Sequence, residues 1–143
     1  MSFFDSLLRF NYSKDLHAHL KGLSLDCEAY SRQSAYQLVA LCILGLSTLS
    51  LINYYYGLFN RPSFSRAKTW GMHVFFVSLV VGVIAFSIAS SGLPQGAHCS
   101  YLHFYRSDCI LFGLTAFAYN VIYCFLLSSS IKWMSVNNKK VPF

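Results

Sequence analysis

Residues 33–60, 69–105 and 109–131 contain no Asp, Glu, Lys or Arg. Carboxylates and lysines inside a membrane mark proton relays and ion pathways, and these stretches lack both. The five cysteines, Cys27, Cys42, Cys99, Cys109 and Cys124, form no Cys-x-x-Cys pair, so the usual thiol relay of a disulfide oxidoreductase is missing. His73 is the only histidine within a predicted span, and a membrane haem with two axial ligands would need a second chain to supply the other. A basic leader is also absent at the N-terminus, which speaks against a cleaved secretory signal. Ser2 stands where myristoylation requires Gly, and Val141-Pro142-Phe143 is not a prenylation box. The first span is therefore expected to act as an uncleaved anchor.

What is present in place of charge is apolar length. Each of the three stretches holds a run of roughly 20 or more mostly apolar residues, enough for a helix to cross a bilayer. The expected fold is an all-α integral membrane protein: three transmembrane helices preceded by an amphipathic N-terminal helical segment. Residues 1–34 form that segment, interfacial or docked on the bundle. Residues 35–134 form the membrane domain, with spans at about 35–59, 70–91 and 109–133, and 135–143 form a short basic tail. No part outside the spans is long enough to bury a core of its own, which excludes a separate soluble catalytic or ligand-binding domain.

Within the N-terminal segment, Phe3, Phe4, Leu7 and Leu8 fall at helical spacing over residues 3–10. Ser13 can cap a second helix, with Asp15 near the positive end of its dipole. Leu16, Leu20 and Leu23 share one face of that helix, and Gly22 is expected to weaken it. Tyr54, Tyr55, Tyr56 and Phe59 read as an interfacial aromatic belt closing span one. Pro62 disfavours helix at Arg61, and the short loop to Lys68 makes spans one and two antiparallel neighbours. His73 is expected to bond a backbone carbonyl or one of the three tyrosines.

The chain carries 11 Lys and Arg against 5 Asp and Glu. Such a balance can mark a nucleic-acid binder. Here Arg61, Arg66 and Lys68 follow span one while Lys132, Lys139 and Lys140 follow span three, the pattern of cytoplasmic flanks, so no nucleic acid is expected as a partner. The same bias places the N-terminus outside and the C-terminus inside, in a bacterial inner membrane or an organelle membrane.

Two groups of residues could carry a specific role. The second loop, residues 95–108, leads into Cys109 and brings His98, Cys99, His103 and Asp108 into one segment. These five side chains are weak candidates for a metal site, because their spacing is no recognised zinc pattern. Cys99 and Cys109 could instead pair as a disulfide in an oxidising compartment, or stay free. The second group is a set of small and polar residues inside the spans, candidates for helix packing or for lining a pore: Asn53, Ser78, Gly82, Ala116, Asn120, Cys124 and Ser128. Phe112, Ala116, Asn120, Cys124 and Ser128 are spaced by four in span three. Span one adds Cys42, Gly45 and Thr48, and span two adds Ala85 and Ala89. Small residues let helix backbones approach, and Asn or Ser can hydrogen-bond between helices at about 0.6–2 kcal/mol each.

No catalytic set and no cofactor site emerge from these residues. The expected function is that of a small non-enzymatic polytopic membrane protein, a subunit of a homo- or hetero-oligomeric complex whose partners are the lipid bilayer, itself or other membrane proteins. An oligomeric pore-former is the alternative. In layout the chain resembles three-span holins and membrane effectors of phage defence, although 34 N-terminal residues exceed what a minimal holin needs. A third expectation is an immunity or accessory protein that binds a partner through loop 95–108.

Overall fold

The computed structural model describes residues 13–23, 27, 30, 33–57, 66–91 and 102–134. Among these residues the chain is all-helical, with four α-helices and no strand: α1 (Lys14–Leu20), α2 (Ala35–Tyr56), α3 (Ala67–Ser90) and α4 (Arg106–Ile131), followed by a 3-10 turn at Lys132–Met134. Three of the helices, α2, α3 and α4, are long and apolar enough to cross a membrane. At 22, 24 and 26 residues they measure about 33–39 Å, slightly more than the ~30 Å hydrocarbon core. Helices α3 and α4 each begin three residues before the spans expected from sequence. Their first turns carry Lys68 and Arg106.

Local chemistry sets the ends of α1. The Ser13 side chain accepts the Leu16 N–H at 3.2 Å, and Asp15 lies in the first turn. Gly22 does not weaken the helix from within, contrary to expectation. It follows the Lys21 cap with φ 90°, a conformation open to glycine at little cost. The Gly22 N–H reaches the His19 carbonyl and the Leu23 N–H reaches the Ala18 carbonyl, the paired bonds of a Schellman ending. At the start of α4, Asp108 accepts the Tyr105 N–H at 3.1 Å in a capping box. The segment expected as a helix at 3–10 lies outside the described residues, as does the basic tail from 135 onward.

The three long helices pack up, down and up, with the closest contact between α3 and α4. Gly82 and Gly113 permit it. A Cβ on Gly113 would stand 2.9 Å from the Gly82 carbonyl oxygen, and one on Gly82 would stand 3.1 Å from that of Gly113. Helix α1 docks at the end where α2 and α4 begin. Leu16 and Leu20 are fully buried there with Tyr36, Val39, Val81, Ala85, Cys109 and Phe112. A second apolar cluster at the opposite end holds Leu51, Tyr54, Tyr55, Val74 and Cys124.

The outer faces of the long helices are largely apolar, while a few polar side chains are turned inward. Leu41, Leu49, Phe75, Phe76, Val83, Leu114 and Leu126 are exposed, while Ser47, Ser78, Asn120 and Ser128 are buried. Water as the surrounding solvent would favour the reverse. Three apolar helices so arranged are compatible with a membrane protein.

Candidate functional site

The buried polar residues form a seam between the two apolar clusters. Its centre is Asn120 on α4, whose side chain is fully buried. The Ser47 hydroxyl of α2 donates to Asn120 Oδ1 at 2.6 Å. Asn120 Nδ2 donates to Ser78 Oγ of α3 at 2.9 Å and lies 3.7 Å from Cys124 Sγ on its own helix. One amide thus ties all three long helices together, using its carbonyl on one side and its N–H groups on the other. Such a residue fixes the register of its neighbours, because sliding either helix by one position would strand a polar group in an apolar interior.

Further bonds run along the helix seams toward the end opposite α1. Thr48 Oγ1 and the Tyr123 hydroxyl lie 2.8 Å apart, joining α2 to α4. Ser50 Oγ and His73 Nε2 lie 2.9 Å apart, joining α2 to α3. Trp70 Nε1 donates to Ser128 Oγ at 3.1 Å, joining α3 to α4. The Tyr56 hydroxyl donates to the Ile131 carbonyl at 2.6 Å, occupying an acceptor in the last turn of α4.

The stripe at 112, 116, 120, 124 and 128 is buried along its whole length. Each step of four advances about 40° around a helix, so the stripe turns from one neighbour to the other. Phe112 meets Tyr36 of α2 edge-on at 5.8 Å, Asn120 touches both helices, and Ser128 meets Trp70 of α3. Ser78, Ala85 and Ala89 are buried on α3, and Gly82 is half-buried against Gly113.

Helix α2 departs from expectation. Asn53 is exposed and lies away from the seam, and Gly45 is exposed with open space around the position of a Cβ. The residue that enters the seam is Ser47, which the sequence reading missed. Its buried companions Tyr36, Val39, Ala40, Ile43, Leu51 and Tyr54 follow the three-and-four spacing of one helix face. That signal was present but had no contrast, since the outward faces of so apolar a helix are apolar too. Tyr54 and Tyr55 are likewise fully buried rather than part of a belt, with rings edge-to-face at 5.3 Å. Packing against α3 and α4 takes precedence for them over the interface. His73 Nε2 pairs with Ser50 Oγ on α2, and its ring lies 4.9 Å from that of Tyr54, one of the three tyrosines expected beside it.

Residues of the second loop separate into distinct roles. His98 and Cys99 lie outside the described residues. Asp108 caps α4, and the His103 N–H donates to Asp15 Oδ2 at 3.1 Å, fastening the chain before α4 onto α1. Cys109 is a free, fully buried thiol, whereas Cys27 is disulfide-bonded. Of the two alternatives left open for Cys99 and Cys109, a mutual bridge is therefore not formed. Cys109 opens the buried face of α4, within the cluster of Phe104 and Phe112, and serves as a small apolar residue. Among the described residues, no three His, Cys, Asp or Glu side chains gather in a way that could hold a metal ion.

The class defined by this fold is an all-helical chain with three helices long and apolar enough to cross a membrane. Comparison of the chain with protein-family models, with curated proteins and with solved structures finds no match.

Proposed function

We propose that the chain is a small non-enzymatic integral membrane protein that serves as a subunit of a homo- or hetero-oligomeric membrane complex. The observation that carries this reading is the occupation of the polar interior. Asn120 spends both ends of its amide on Ser47 and Ser78 within one chain, so the seam holds this bundle together and presents no free amide to a substrate or a water-filled pore. Contact with other molecules is then left to the outer faces, where aromatic residues such as Phe75, Phe76 and Trp133 are exposed. Without such a free amide, the pore-former reading loses its lining group.

The proposed orientation is N-terminus outside. Arg66 and Lys68 mark one end of the bundle and the disulfide-bonded Cys27 belongs to the segment preceding α2 at the other. Disulfides persist in oxidising compartments, which favours the second end as the outer one.

Native mass spectrometry of the full chain in mild detergent tests the subunit reading. A defined oligomer or a stoichiometric partner is expected, with membrane potential intact on overexpression. A bare monomer throughout, or a collapse of the potential, overturns it. An impermeant thiol reagent on intact cells should modify Lys14→Cys and spare Arg66→Cys, and the opposite result reverses the orientation.

A further inference from the structure

A groove runs down the outer face between α3 and α4, starting at Arg106 and lined by Phe86, Val83, Leu79, Ile110, Leu114 and Phe117. Its volume is about 490 Å³, and its floor is the Gly82–Gly113 contact, where the absence of two side chains leaves the depression. From Arg106 to Phe117 the groove descends about 16 Å along α4 at 1.5 Å per residue. That is close to the ~15 Å of hydrocarbon in one leaflet of a bilayer.

The mouth of the groove is cationic. Arg106 is exposed, its guanidinium carbon lies 5.8 Å from the Phe86 ring centroid, and it forms no salt bridge among the described residues. The carboxylates of this end among those residues are engaged with backbone: Asp15 accepts the His103 N–H and Asp108 accepts the Tyr105 N–H. A planar, permanently charged fork at the end of an apolar channel one leaflet deep is complementary to one class of molecule. We infer that this groove binds an anionic phospholipid, with the phosphate at Arg106 and one acyl chain laid over Gly82 and Gly113. The inference needs the chain to sit in a bilayer and is independent of any protein partner.

The test is native mass spectrometry of the detergent-purified full chain with phosphatidylglycerol or phosphatidylcholine of the same acyl composition. The native chain is expected to retain one phosphatidylglycerol with a preference of about tenfold over phosphatidylcholine, the scale of a charge-assisted bond. Arg106→Gln should abolish the preference, and Arg106→Lys should keep part of it. Val83→Trp, at an exposed position on the groove wall, should lower retention of both lipids. Unchanged unfolding midpoints certify that these variants fold. Equal retention of the two lipids by the native chain, or a preference that survives Arg106→Gln, overturns the inference. So does a dimer that Val83→Trp dissociates, since the groove would then belong to a second copy. Oligomer mass and lipid adduct mass are read separately, so failure here is distinct from failure of the subunit reading.

Discussion

The two ends of the helical bundle are held by different chemistry. At one end an added element closes the structure: α1 inserts Leu16 and Leu20 beneath Tyr36 and Phe112, and His17 Nδ1 lies 2.5 Å from the Tyr36 hydroxyl. Here the stabilisation is mainly apolar burial, with the Asp15–His103 bond as a clasp. At the other end α2, α3 and α4 close on themselves. Tyr54 and Tyr55 fill the space, and Trp70, Ser128, Tyr56 and Ser50 bridge neighbouring helices with single hydrogen bonds. The difference shows that burial supplies cohesion wherever an extra amphipathic helix is at hand. Where no further helix docks among the described residues, amphipathic aromatic side chains supply both filling and bonding. The amide of Asn120 sits between the two regimes and sets the register for both.

The strongest way to break this contrast is at the docked end. Leu20→Ala leaves a cavity under α1 and should destabilise by about 2–5 kcal/mol. Chemical unfolding in micelles measures the loss, and tryptic cleavage at Lys21 should accelerate as α1 detaches. If cleavage at Lys21 is unchanged, α1 is held by something other than its apolar face.

At the junction, Asn120→Leu strands the Ser47 and Ser78 hydroxyls and should cost about 1–3 kcal/mol. A double-mutant cycle with Ser47→Ala should return a coupling of about 0.6–2 kcal/mol. Additive effects would reduce the seam to ordinary packing.

The smallest effect is expected at the end opposite α1. Trp70→Phe deletes one hydrogen bond to Ser128 while keeping an aromatic ring, and should cost about 0.5–1.5 kcal/mol. A loss larger than that of Leu20→Ala would invert the comparison between the two ends.

Legibility from sequence followed the physics of each signal. The three long helices were readable because apolar length against a bilayer is a strong, local criterion, and the Ser13 cap of α1 was readable because capping is also local. The stripe through Asn120 was visible from its four-residue spacing on a helix with polar members. Ser47 was not, because one serine among leucines has no partner until another helix is placed beside it. Gly22 was misread for a related reason: its role depends on a backbone angle, not on its position in the wheel. Asn53 and Gly45 look like packing residues in isolation, yet α2 turns them outward.

By itself the sequence determined the apolar lengths, the order of elements and the charges that flank them, because hydrophobic length and local capping need no knowledge of neighbours. Tertiary structure alone decided which polar groups meet, that Cys109 stays a buried free thiol, and that Gly82 and Gly113 open a groove ending at Arg106. Those outcomes depend on which faces of three nearly uniform helices come together, and hydropathy carries no contrast to decide it.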